Sequence, residues 1–143
     1  MDFNATADKI MKMRANFGAP ESMKTLERVS VNDLKDKVIT IDDICIVSTI
    51  TKNKDTKEVV KTKDGRDVYT NYVYVAFDKE YYFSTKSQIL LEQIEDIVGK
   101  KLKMDSKGEV RVKDLIGETV KISAKKVRYS DGKDYDNVIF ANA

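Results

Sequence analysis

The chain has no histidine and no tryptophan, and only one cysteine and one proline among its 143 residues. Without histidine, neither a Ser-His-Asp nor a Cys-His nucleophilic site can be assembled, and the usual histidine-bearing zinc sites are excluded. A lone cysteine cannot close an internal disulfide, which fits a reducing compartment, and Cys45 lies in an apolar run that marks it as a small buried hydrophobe. The six glycines are scattered as turn and cap residues, so there is no glycine-rich phosphate loop. No apolar run nears the ~20 residues of a membrane span, and no secretory leader pattern opens the chain. The expected location is the cytoplasm, the host's if the protein is phage-encoded, with no membrane contact. Charge of one sign is not in excess either: 26 basic against 24 acidic residues leave +2. An anionic partner must therefore be met by the local distribution of charge. No residue pattern asks for a cofactor or a metal.

The length suits one domain with a real core. Residues 1–30 are Met-rich, hold the only proline and show weak helical periodicity through Ile10, Met11 and Met13. They are expected to form an N-terminal arm, a short helix or a disordered segment, broken at Gly18-Ala19-Pro20. Residues 31–143 carry the domain. Lys37–Thr51 is a long β-branched strand whose Asp42-Asp43 interruption predicts a bulge or bend. After a polar stretch, Val68–Phe77 and EYYFS read as second and third strands around a tight turn at Asp78–Glu80. Thr85 with Gln88 suggests a capping box for a helix through Leu90, Ile94, Ile97 and Val98, closed by Gly99. A small hairpin turning at Asp105–Gly108 follows, then a fourth strand from Glu118 and a fifth from Tyr135. VNDLKDKVITI and VKDLIGETVKI also echo one another, as if one device, an Asp-Leu turn, launched two long strands.

This order, with one helix between the third and fourth strands, is that of a five-stranded OB-fold Greek-key barrel; an open α+β sheet is the competing architecture. On the second strand Val73, Val75 and Phe77 share the core side, which turns Tyr72 and Tyr74 outward. A three-residue turn sets Phe77 opposite Tyr81 and Val75 opposite Phe83, with Tyr82 outward, and is preferred because it buries the phenylalanine; a two-residue turn would expose Tyr81 and Phe83 instead. Tyr69 joins them only if the strand is bulged near Thr70-Asn71. In an OB-fold this face is flanked by the loops after strands one and four. The first of these carries Lys52, Lys54, Lys57, Lys61, Lys63 and Arg66. The fourth strand carries Lys121, Lys125, Lys126 and Arg128, followed by Tyr129 and Lys133. Aromatic faces that stack unpaired bases, beside cations that follow phosphates, are what a single strand rewards, with little sequence preference.

On NYVYVAF, the basic loop before it and VKISAKKVRYSDGKDYDNVIFA, the chain resembles the compact, phage-type OB-fold single-stranded DNA-binding proteins. The resemblance spans about Val31–Ala141. It implies protection of single strands in replication or recombination, without catalysis. The expected partner is single-stranded DNA, or RNA, with homo-oligomers as a further possibility. Many such proteins end in an acidic recruiting tail, and this sequence ends at VIFANA. Contacts with replication or recombination proteins would then fall to residues 1–30. Two other functions compete. The aromatic face could be a protein-interaction or oligomerisation surface. Asp42 and Asp43 could serve a magnesium-dependent enzyme, although neighbours in a strand point to opposite faces.

Overall fold

The computed structural model describes residues 2–143. Helix α1 (Phe3–Ala15) is capped by the Asp2 carboxylate, which accepts the Ala5 N–H at 3.1 Å, and it buries none of its residues. The chain then turns through Asn16, Phe17 and Gly18 into a 3₁₀ turn (Glu21–Met23), a two-residue strand β1 (Glu27–Arg28) and the single turn α2 (Val31–Leu34). The domain proper follows as β2 (Val38–Ile50), β3 (Tyr69–Phe77), β4 (Tyr81–Thr85), α3 (Gln88–Val98), β5 (Gly108–Val112), β6 (Thr119–Arg128) and β7 (Asp134–Asn142).

The strand order is β1-β4-β3-β2-β6-β7, with β5 added on β2, and β1 runs parallel to β4. The fold is mainly β, a curled, open, mixed sheet that makes a half-barrel. Two expectations are corrected here. The five main strands form as β2, β3, β4, β6 and β7, but among the described residues β1 and β5 add to their sheet and no ladder joins β4 to β7 to close a ring. The expected hairpin near Asp105 is also absent: only β5 forms, and it pairs with β2. The segment before β5 is held instead by the amide of buried Asn71, which donates to the Met104 carbonyl at 3.0 Å and accepts its N–H at 2.9 Å.

The long strand bends where the two aspartates predict. Ile41 pairs with Phe77 and Asp43 with Ala76, so Asp42 is the extra residue of a bulge. Before the bulge, Val38–Thr40 pairs with β6; beyond it, Ile44–Ser48 pairs with β5. The two echoing segments meet at the first of these junctions. Asp36 N–H donates to Ile122 O (2.7 Å) and Gly117 N–H to Ile41 O (2.8 Å); Ile122 N–H reaches Lys37 O and Ile41 N–H reaches Glu118 O, both at 2.9 Å. Each turn thus hands its strand to the other about a local two-fold. Leu34 and Leu115 are buried beneath, and Asp36 and Gly117 are both left-handed (φ 65 and 89).

Helix α3 lies across the open edge of β7 and serves it as a strand would. The Gln93 amide donates to Phe140 O at 2.7 Å and accepts Phe140 N–H at 2.8 Å. Ser87 Oγ accepts Val138 N–H at 3.2 Å and also caps the helix at Leu90 N–H. The N-cap is therefore Ser87, not Thr85, whose hydroxyl accepts the Ser87 N–H. With the helix so docked, Leu90, Leu91 and Ile94 face the core while Ile97 is exposed. Gly99 ends the helix in the left-handed conformation, as its position predicts.

The main core fills the concave side with Ile39, Ile41, Ile44, Ile46, Val73, Val75, Phe83, Ile122 and Phe140 against α3. A second cluster lies on the other side of the sheet. There Ala19 and Met23 of the arm cover Cys45, Ala76 and Tyr82. No helix of the described residues is long and apolar enough to cross a membrane.

Candidate nucleic-acid interface

The register of β3 and β4 follows the sequence reading: Phe77 is opposite Tyr81 and Val75 opposite Phe83, so Tyr72, Tyr74 and Tyr82 share the outer face of the sheet. Tyr69 does not join them. The β2–β3 ladder is continuous from Asn71 to Tyr69, without a bulge, so Tyr69 keeps the parity of Asn71 and Val73. It lines a separate cleft of about 550 Å³ with Lys61 and Arg66.

The outer face is partly occupied, which corrects its expected role as an open platform. Tyr82 is only 2 % exposed, and its hydroxyl donates to Asn16 Oδ1 at 2.7 Å. Asn16 in turn donates to the carbonyls of Lys24 and Leu26 at 3.0 and 2.7 Å, pinning the arm. Tyr74 is half-buried, lies 6.2 Å from the Tyr82 ring and donates to Gly18 O at 3.2 Å. Burial, then the neighbouring Tyr82 and Tyr72, push the Tyr74 phenol up, against Arg28; burial likewise raises Tyr82. Among the described residues the Tyr72 hydroxyl makes no hydrogen bond to the arm, and Tyr72 lines both adjoining clefts with Arg28.

Arg28 and Tyr72 connect two clefts. A smaller one of about 270 Å³ runs under the arm past Tyr74 and Tyr82. A larger one of about 590 Å³ opens in the seam between β4 and β7, where Ser84, Lys86, Asp136 and Val138 form the walls. Neither Arg28 nor Lys86 stood out in the sequence. Lys86 had a signal, because it directly follows the third strand. Arg28 had none, since parallel pairing with β4 leaves no local period.

The basic residues divide into paired and unpaired. Lys61 binds Asp67 at 2.6 Å, Arg66 binds Asp64 at 2.8 Å and Arg128 binds Asp134 at 3.0 Å. Among the described residues, Lys52, Lys54, Lys63, Lys121, Lys125, Lys126 and Lys133 have no such partner. The β2–β3 loop is itself folded, with bridges Lys52–Val59 and Lys61–Asp67. The β6 run does not present one surface: Lys126 and Arg128 share the face of Ile122, whereas Lys121 and Lys125 point the other way. Tyr129 stacks on Tyr135, with centroids 4.7 Å apart, and donates to Asn137 Oδ1 at 3.0 Å, so it braces the hairpin beside Lys133.

The two carboxylates weighed for magnesium serve different neighbours. Asp42 accepts the Lys79 N–H of the β3–β4 turn, while buried Asp43 accepts from Ser22 Oγ (3.2 Å) and Arg111 Nε (3.0 Å). Beside them, burial pushes the Cys45 thiol up to about 12, with Asp43 and Glu109 adding to the effect. Compared with protein-family models, curated proteins and solved structures, the chain matches none.

Proposed function

We propose that this protein binds single-stranded nucleic acid, DNA in the first instance, by base stacking and phosphate contacts and without catalysis. The observation that carries the reading is partly exposed Tyr72, which lines two adjoining clefts together with the exposed Arg28. An unpaired base gains ~1–3 kcal/mol by stacking on such a ring, and a duplex, whose bases are already stacked, gains only the charge term. The strand order β4-β3-β2-β6-β7, with α3 between β4 and β6, supports an OB-fold assignment in which α3 stands in for the missing β4–β7 ladder. The unpaired lysines of the β2–β3 loop and the β6–β7 hairpin supply the phosphate contacts. A role in replication or recombination follows from the resemblance to phage-type single-strand binders.

The test is tyrosine fluorescence during titration with oligo-dT, with a matched duplex as control, at low and high salt. Quenching by the single strand alone, weakening as salt rises, is the expected result. Tyr72→Ala is expected to cost ~1–3 kcal/mol at constant salt slope, and Lys86→Ala to lower the slope by about one contact. Tyr74→Ala is a poorer probe, because it also unties Gly18. A second reading rests on the docked arm: residues 16–26 already use the aromatic face as an intramolecular interface, so a protein segment could bind there. Association indifferent to salt, and silence toward oligo-dT, would favour it.

A further inference from the structure

The seam between β4 and β7 has the makings of a specific pocket. Strand β4 pairs with β3 on one edge, and on the other, among the described residues, a strand covers only Tyr81 and Tyr82, namely β1. Strand β7 pairs with β6, and α3 covers its free edge only at Val138 and Phe140. Past those points, at Ser84 and at Asp136, both strands turn an edge without a partner strand into the cleft of about 590 Å³. That volume lies in the range of pockets that hold small organic ligands, ~300–1,000 Å³. Its lining combines three kinds of group. Tyr72 offers an aromatic surface, and Val29 and Val138 an apolar one. Arg28 and Lys86 are exposed cations with no ion-pair partner among the described residues. The exposed Asp136 is the carboxylate among them.

Cations suit the phosphates of a strand, and an aromatic ring suits any base. A carboxylate in the same cleft suits neither. It repels phosphate and adds nothing to stacking, so on an electrostatic surface it lowers affinity. Strand pairing sets Asp136 opposite Lys126, with which it forms no ion pair among the described residues, so it is open to a ligand donor, and cytosine N4 is the base-edge donor that Asp characteristically accepts from. We infer that the β4–β7 seam takes one nucleotide of the bound strand, stacked at Tyr72, with its phosphate at Arg28 and Lys86 and an exocyclic amino group at Asp136. This deepens the single-strand reading and rests on it: binding is general along the strand, with a preference at one position for an amino-bearing base over thymine.

The experiment compares oligo-dC, oligo-dT and oligo-dU of equal length at neutral pH and fixed salt, on the full chain and on Asp136→Ala. Asp136 is exposed and among the described residues its side chain makes no hydrogen bond or ion pair, so the variant is expected to fold. The wild type should bind oligo-dC about fivefold or more tightly than oligo-dT, the lower end expected of one base contact. Oligo-dU should match oligo-dT, which assigns the difference to the amino group rather than to the thymine methyl. Asp136→Ala should abolish the preference by weakening oligo-dC while leaving oligo-dT equal or tighter. Equal binding of all three by the wild type, or a preference that survives Asp136→Ala, overturns the pocket and leaves general single-strand binding standing. No binding of any oligonucleotide overturns both.

Discussion

Replacing Asn16 by alanine is the most informative single change in the arm. Its side chain is 5 % exposed and makes three hydrogen bonds: it accepts from the Tyr82 hydroxyl and donates to Lys24 O and Leu26 O. If the arm stayed in place, a buried hydroxyl and two carbonyls would lose their partner, a loss of roughly 2–4 kcal/mol at about 1 kcal/mol per net bond with some unsatisfied burial added. The arm has another way out, which is to leave the sheet. The cost of Asn16→Ala then cannot exceed the docking energy of residues 16–26, whose further anchors are the Tyr74–Gly18 and Ser22–Asp43 hydrogen bonds and fully buried Met23. Met23→Ala alone should cost ~2–5 kcal/mol by cavity formation and lost burial. Because both residues hold the same segment, the double variant should cost clearly less than the sum. Urea unfolding followed by tyrosine fluorescence gives the midpoints, and limited proteolysis reports release of residues 16–26. Release also bares Tyr74 and Tyr82, so oligo-dT should quench a larger share of the emission. Additive losses in the double variant, or an unchanged midpoint and protease pattern for Asn16→Ala, would refute the pinning role.

Other consequences can be measured in the same way. Gly117→Ala places a Cβ where nothing lies within 4 Å, so its cost is conformational alone, ~1–2 kcal/mol at φ 89, while Asp36→Gly at φ 65 should be neutral or stabilising by thermal unfolding. Gln93→Ala frees the Phe140 N–H and carbonyl and should lower stability by ~1–3 kcal/mol, with faster hydrogen exchange at Phe140 than at Ile122. Burial alone would raise the Glu95 carboxyl, but the N–H groups of Leu102 and Lys103, helped by the nearby Lys101 and Lys103 charges, hold it below its usual value of 4.5. Its contribution is therefore complete above about pH 4.5 and is lost as pH falls through the lower folded value, so urea midpoints of the wild type should drop more between about pH 6 and pH 3 than those of Glu95→Gln.

What the sequence made legible was what a local period encodes. The alternation around Val73, Val75 and Phe77, with a three-residue turn at Asp78–Glu80, favoured the β3–β4 register that forms over the alternative of a two-residue turn, and the doubled aspartate located the bulge in β2. What escaped it depends on partners far along the chain. Tyr82 looks outward from its own strand, yet it is buried because Asn16, 66 residues earlier, accepts its hydroxyl. The supposed hairpin near Asp105 carried the right turn residues, but Asn71 competes for its backbone from 33 residues away. In the candidate site, Tyr72 and the loop lysines were legible from pattern and composition. Arg28 and the Asp136 side of the seam were not, because the gap between β4 and β7 exists only where two ladders fail to meet.

The handing of each launching turn to the opposite strand also constrains the order in which the chain acquires structure. Thr40 and Thr119, whose hydroxyls lie 3.2 Å apart, are separated by 79 residues. During synthesis, β2 can recruit β3 soon after it emerges. Its second edge stays bare until residues 108–122 follow. Through that interval the nascent chain exposes an apolar strand edge of the kind that pairs with other molecules. Closure of so long a loop is also slow compared with hairpin formation. Kinetic refolding should therefore show β3–β4 protected from exchange before the β2–β6 junction. A chain cut short before Ile122 should be aggregation-prone rather than a smaller folded domain.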